Sequence, residues 1–513
     1  MGGIVIAGER SGVGKTTVTL ALLAALAQRS QRVQSFKVGP DYIDPMFHTR
    51  VTGRPCYNLD PVLTSAVYVG QCFAEQCRDA EFAVVEGVMG LFDGATGTAE
   101  TASTAHIAKL LNLPVLLVVD CSRLSRSVLA IVHGYRSFDP ALNLAGVVLN
   151  RVGSDRHLQL LQDALATFDL PILGILRRQA EITLPDRHLG LVPTAELPQL
   201  QERLDRLAHL GQTSFDWPQL LPLLRVSKAV SPALQTLESP VSEDSPRCHD
   251  PRCHDPQSHD PQSHDPQSHG LQSQEVPQSR SQPHETANLE LIRRTKPRLA
   301  IAQDAAFSFY YADGLTYLTY LGAELVPWSP LVDATLPEAT DGLYLGGGFP
   351  EMFGAALAEN RPLRQQLRQR IQAGLPTYAE CGGLMYLAEH LVDLQGRTWP
   401  MVGVLPTTVT MESRLTLGYR RATATATSVA LQAQQQVWGH EFHHSQVTRP
   451  PSAPLYQLQR FDAKSPHTTE GWGARHLHAS YLHLHWQGSQ IQAQQFLVAC
   501  ATYHHAQSAI VER

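Results

Sequence analysis

The sequence predicts an α/β protein of two doubly wound units joined by a disordered linker, and three observations predict it. Short apolar runs alternate with helical patterns from residue 4 to about 226, and again from 297 to 513. The first run, Ile4-Val5-Ile6-Ala7, passes through a glycine-rich turn directly into the helical pattern Val18–Ala27. Between the alternating stretches, residues 227–296 are dominated by Ser, Pro, Gln, His and Asp, with too little apolar material for a core. The expected units are therefore 1–226, 227–296 and 297–513.

Bulk properties narrow the function classes. With 513 residues and 43% hydrophobic content the chain can build more than one sizeable core. A net charge of −6 supplies no broad basic field for nucleic acid. No apolar run approaches the length of a membrane span, and the N-terminus enters the first strand without a leader pattern. The 8 Cys are scattered rather than paired in a framework, which suggests a reducing, cytoplasmic setting.

In the first unit, Val33–Val38, Phe82–Glu86, Pro114–Asp120 and Ala145–Asn150 read as further strands. They are apolar on both faces, as parallel strands covered by helices must be. A doubly wound sheet binds its ligand at the carboxyl ends of its strands, and the polar residues fall there. The first turn is Gly8-Glu9-Arg10-Ser11-Gly12-Val13-Gly14-Lys15-Thr16-Thr17. Its backbone N–H groups and the following helix N-terminus suit an anion. Gly12 and Gly14 permit the turn, Lys15 can reach the terminal phosphates of ATP, and the Thr16 hydroxyl can ligate Mg²⁺ with Thr17 beside it. Position 9, where the usual spacing has Gly, holds Glu, so the loop is a variant. Lys37, Asp41 and Asp44 follow the second strand, Glu86 and Asp93 the third, and Asn150 ends the fifth. Carboxylates there can hold Mg²⁺ directly or through water; the plainer alternative is helix capping or pairing with Arg. Asn150 is a weak candidate for a nucleotide-base contact.

The linker carries a five-residue repeat, from Cys248-His249-Asp250-Pro251-Arg252 to Ser268-His269-Gly270. Its His and Cys residues could bind a transition metal, but repeat expansion in a tolerant segment explains it as well.

In the second unit, Arg298–Ala302, Gly342–Leu345 and Pro376–Ala379 read as strands, and Tyr310–Leu321 and Leu363–Ala373 as helices. Cys381, within Ala379-Glu380-Cys381-Gly382-Gly383, falls on a sharp strand-to-helix turn with the form of a nucleophile elbow. The helix that follows is expected to lower the thiol pKa. Gly382 N–H, with a donor from the Gly346–Gly348 turn, can form an oxyanion hole. A thiol needs a base, and the C-terminal region offers His440, His443, His444, His476, His478, His483, His485, His504 and His505.

Together these motifs carry a resemblance. Gly12–Thr17, Lys37–Pro45, Asn58-Leu59-Asp60, Glu86–Gly94 and Leu184–Pro193 resemble the cobyrinic acid a,c-diamide synthase family, and the first unit is similar to dethiobiotin synthetase, whose phosphate loop shares the extra residue. Gly347–Glu351, Glu380–Gly383, Gly439–His443 and Ser480–His483 resemble its class I glutamine amidotransferase domain, a flavodoxin-like fold. The resemblance implies an ATP- and glutamine-dependent ligase that amidates the a and c acetates of cobyrinate or a related corrinoid through an acyl phosphate. It puts Lys15, Lys37 and Asn150 on ATP, Thr16, Glu86 and Asp41 on Mg²⁺, and Asp44 and Asp93 on the substrate. It makes Cys381 the nucleophile and His483 the base, with Gly348 and Gly382 as oxyanion donors. Many class I amidotransferases have a Glu two residues after the base; here that residue is His485, a third triad member or the alternative base. Cobyric acid synthase and other tetrapyrrole amidases stand as alternatives. So does a nucleotide-dependent regulator with an inactive amidotransferase domain. A homodimer is left open.

Overall fold

The computed structural model describes residues 2–97, 99–178, 186–187, 190–191, 193–197, 199–226, 283–462 and 465–511. The His-Asp-Pro repeat and half of the Leu184–Pro193 motif lie outside them.

The first unit is built on a seven-stranded parallel sheet. Its strands are β1 (Ile4–Gly8), β2 (Val33–Val38), β3 (Tyr57–Leu59), β4 (Phe82–Glu86), β5 (Val115–Asp120), β6 (Leu144–Val152) and β7 (Ile172–Arg177). They run in the order β3-β2-β4-β1-β5-β6-β7. β1, β2, β4 and β5 are buried along their whole length, because helices cover both faces. One face packs on α1 (Lys15–Gln28), whose Leu20, Leu22, Leu23 and Leu26 are fully buried. The helix has almost no polar side because Leu200–Ser214 covers its outer face: a Cβ on Gly211 would lie 2.0 Å from the Ala21 carbonyl. Since β1 lies between β4 and β5, the turns after β1, β2 and β4 converge on one spot.

The second unit holds two sheets. Strands Glu324–Trp328, Arg298–Ala302, Gly342–Leu345, Thr377–Glu380 and Leu477–Ser480 are parallel, with Trp472–Ala474 antiparallel at one edge. This is the expected doubly wound core. Beside it stands a second, largely antiparallel sheet, organised on the long pair Leu405–Ala424 and Gln436–Val447, which the sequence reading did not anticipate. Its long strands alternate buried and exposed residues over part of their length, as a half-covered antiparallel sheet does.

The linker is shorter than expected. Pro283–Thr295 is a helix, and its Ile292 is buried in one cluster with Phe496 and Leu497 of the C-terminal helix Gln490–Val511. Arg293 and Arg294 accompany this apolar stripe, and the polar residues around it masked the period in the sequence.

The two units touch through specific polar and aromatic contacts. Tyr68 donates to Asp313 at 2.6 Å and Tyr419 to Asp60 at 2.9 Å. The Tyr42 ring stacks on Phe309 at 5.1 Å. Gly488 sits so close to the Leu63 carbonyl that a Cβ there would be 1.7 Å from it. Among the described residues no helix is long and apolar enough to cross a membrane.

Candidate active sites

The first site begins at the turn after β1. Gly14 has φ 94° and precedes α1, and a Cβ on it would lie 2.3 Å from the Asn150 amide nitrogen, so only Gly fits. Asn150 donates that amide to the Val13 carbonyl at 2.7 Å, and its oxygen accepts from Arg151 N–H at 2.9 Å. Its side chain therefore holds the loop in shape. A cleft of about 690 Å³ beside the loop is lined by Glu9, Arg10, Asp120, Tyr135 and Arg151 among others.

The loop's cation and hydroxyl are poised. Lys15 Nζ rests on the Met89 carbonyl, and burial, then the neighbouring Lys37, lower its pKa to about 8. Thr16 Oγ1 donates to Glu86 at 2.7 Å and lies 3.3 Å from Asp44. Lys37 bridges the two acids, 2.5 Å from Asp44 Oδ2 and 3.0 Å from Glu86 Oε1. Burial opposes the charge on Lys37, but Asp44, Glu86 and Asp41 hold it well above the ordinary lysine range. Burial also works against the Glu86 charge, yet Lys37 and His48 keep its carboxyl well below the usual range. Asp44 goes the other way, pushed up to about 7 by burial and by Asp41.

The expected division of the acids shifts. Asp41 spends Oδ1 on the backbone N–H groups of Ile43 and Asp44, at the start of the helix α2 (Ile43–Thr52). Asp44 is the acid nearer Thr16. Asp93 accepts from Gly90 N–H at 2.8 Å and shapes the loop after β4. Two more residues complete the cluster. His48 Nε2 is 2.7 Å from Glu86 Oε2 while its Nδ1 faces Cys56 Sγ at 3.3 Å. Asn58 donates to the carbonyls of Gly39 and Asp41, tying down the Lys37–Asp44 loop. The spacing Asn58-Leu59-Asp60 was the signal available for the second of these. Among the described residues no three His, Cys, Asp or Glu side chains are arranged to hold a metal by themselves. The hydroxyl and carboxylate oxygens of Thr16, Glu86 and Asp44 nevertheless fit Mg²⁺, which takes few protein ligands and relies on phosphate oxygens and water.

The second site is the elbow at Cys381. The residue has φ 47° and ψ −99°, a strained conformation between Thr377–Glu380 and the short helix Gly382–Leu387. Its N–H donates to the Ser480 carbonyl at 2.8 Å, which locks the elbow to the strand leading to His483. Close glycines surround it. A Cβ on Gly382 would be 3.0 Å from Gly348 N, one on Gly348 2.1 Å from the Ala306 carbonyl, and one on Gly347 2.5 Å from His483 Cε1. Cys381, Gly347, Gly348, Gly382 and His483 thus meet at the carboxyl ends of three parallel strands.

The thiol does not have a lowered pKa. Burial pushes it well up, Glu351 adds to this, and the Gly382 N–H recovers only part. A helix of six residues is a weak counterweight to full burial. His483 is fully buried, its Nδ1 3.6 Å from Glu380 Oε2, and Tyr42 of the first unit lies against its ring at 5.1 Å. His485 turns elsewhere. Its Nε2 is 3.4 Å from Asp313 and its ring lies on Tyr311 at 4.4 Å, so it is neither beside Cys381 nor the partner of His483. His440 pairs with His483 across the strands and is held neutral, its pKa lowered to about 3 by burial and by His483.

Between the sites lies a cavity of about 370 Å³ lined by Asp41, Asp44, Asp93, Tyr419, His440 and Phe442 among others. The Phe442 carbonyl faces Cys381 Sγ at 3.8 Å.

Two family models divide the chain where the fold does. Residues 4–192 match a CobQ/CobB/MinD/ParA nucleotide binding domain, and residues 298–491 a CobB/CobQ-like glutamine amidotransferase domain. The cobyrinate a,c-diamide synthase of Synechococcus sp. is 53% identical over 97% of this chain and 98% of its own. That of Synechocystis sp. is 50% identical over 98% and 94%. The chain belongs to the cobyrinate a,c-diamide synthase family. The hydrogenobyrinate a,c-diamide synthase of Streptomyces coelicolor is 42% identical over 97% of both chains. Membership of the diamide synthase family makes this chain a glutamine-dependent amide ligase, and it sets aside the regulator with an inactive amidotransferase domain.

Proposed function

We propose that the chain amidates the a and c acetates of cobyrinate, using ATP to activate each carboxylate and glutamine as the nitrogen source. The observation that carries this reading is the shared cavity. Carboxylates of the phosphate-loop site and the Phe442 strand beside Cys381 line one space.

In this reading Lys15 leaves the Met89 carbonyl for the γ-phosphate, and Lys37 neutralises the charge that develops as phosphate moves to the substrate carboxylate. Thr16, Glu86 and Asp44 hold Mg²⁺, which supplies charge neutralisation on the phosphates. Asp41 and Asp93 face the cavity that admits the acetate-bearing edge of the corrinoid. Cys381 attacks the glutamine carboxamide while His483 takes the thiol proton and passes it to the leaving ammonia. A γ-glutamyl thioester forms, water hydrolyses it, and Gly348 and Gly382 N–H groups support the oxyanion. A neutral His440 beside the route does not protonate ammonia, which stays nucleophilic until it reaches the acyl phosphate.

The test is product mass after incubation with ATP, Mg²⁺ and glutamine. Two amides gained on cobyrinate support the reading. No gain on cobyrinate or its cobalt-free counterpart overturns it.

A further inference from the structure

We propose that Glu380, the residue immediately before the nucleophile, is the positioning residue of His483. The inference rests on His483 being the glutaminase base.

An imidazole that accepts a thiol proton at one nitrogen needs its other N–H held by an acceptor, which fixes both tautomer and ring plane. His485 cannot do this, being committed to Asp313 and Tyr311. Among the described residues neither ring nitrogen of His483 has a hydrogen-bond partner, and Glu380 Oε2 lies 3.6 Å from Nδ1. Such a separation closes to a hydrogen bond on a small ring rotation, as catalytic pairs do when substrate binds.

Glu380 is itself anchored. Its Oε1 accepts from Tyr378 O–H at 2.8 Å and from Leu484 N–H at 2.9 Å, and Tyr344 O–H lies 3.4 Å from Oε2. Leu484 follows His483 in the chain, so this one carboxylate ties the strand of the nucleophile to the strand of the base. Glu380 is 2% exposed and His483 fully buried, so water does not weaken their interaction. With Nδ1–H directed at Glu380, the Nε2 lone pair is free for the Cys381 proton. The imidazolium that forms is stabilised by the carboxylate, which keeps no proton, and Nε2 returns the proton to the leaving ammonia.

Glu380→Gln separates positioning from architecture. Its amide oxygen still accepts from Tyr378 and Leu484, while its NH₂ faces Nδ1 and imposes the wrong tautomer. We expect glutaminase kcat to fall at least about 100-fold with KM within about threefold. Ammonia-dependent synthesis and thermal unfolding should match the wild type. Glu380→Asp should recover at least about tenfold over the Gln variant, since it keeps the charge. With a glutamine analogue bound to ¹⁵N-histidine-labelled protein, a low-field Nδ1–H proton should be present, and lost in both Glu380→Gln and His483→Asn. A Gln variant with near wild-type kcat, an unchanged low-field proton, or equal loss of ammonia-dependent synthesis overturns the proposal while an inactive His483→Asn leaves the base assignment standing. Glutaminase activity surviving in His483→Asn removes the base assignment and this proposal with it.

Discussion

The two sites of this chain are opposite solutions to burying reactive groups. Around the phosphate loop, Lys15, Lys37, Asp44, Glu86 and His48 form a compact network of opposite charges. Around Cys381, the groups that do chemistry are an undissociated thiol and imidazoles, with carboxylates held at the margin by hydroxyls and backbone N–H. A polyanionic substrate needs cations already compensated by acids that a metal can take over. A site that releases ammonia beside the thiol needs the reverse, because a strong acid there would protonate it to ammonium.

That contrast breaks most sharply at the two principal side chains. Cys381→Ala should lower glutamine-dependent synthesis by at least about 10³-fold and leave synthesis from ammonium salts intact. Lys15→Ala should lower both by about 10³-fold. Loss of ammonia-dependent synthesis in Cys381→Ala would erase the division between the sites. A smaller effect is expected from His48→Ala, which frees Glu86 from its 2.7 Å partner. The Mg²⁺ concentration for half-maximal activity should rise about 10–100-fold, with glutaminase unchanged.

The margin of the neutral site is sharpened by Glu470. Burial pushes its carboxyl up from 4.5 to about 7, despite donors from Ser480 and Tyr481. Between those values the unfolded chain has lost a proton that the folded protein keeps, so stability falls as pH rises through the window. Glu470→Gln removes this loss, and its urea midpoint should decline less between pH 5 and 8 than the wild type's. The difference should be about 3 kcal/mol at the upper end. The smallest effect is expected at Tyr419→Phe, which deletes the bond to Asp60 between the units. About 1 kcal/mol should be lost in denaturant unfolding, with both half-reactions retained.

The sequence made some of this legible and concealed the rest for identifiable reasons. β4 was readable to its last residue because a fully buried parallel strand is a continuous apolar run with a polar residue at its end. Cys381 was readable because a strained elbow demands small neighbours on both sides. The antiparallel sheet escaped notice because its long strands mix polar and apolar residues and find partners far along the chain. The raised thiol pKa was missed because burial is a property of the whole fold, whereas helix proximity is local. Glu380 stood beside Cys381 in plain view, but its neighbour His483 is distant in sequence, so no spacing links them.

Tyr42 has a consequence for modularity. It belongs to the first unit, yet its ring lies on Phe309, Tyr311 and His483 of the second. The boundary drawn by the linker is therefore not the boundary of function. A chimaera exchanging whole units between two such proteins would join each amidotransferase to a foreign loop. The natural unit of exchange is the amidotransferase half together with the Lys37–Asp44 loop, and recombination at the linker alone parts Tyr42 from the His483 ring it packs on.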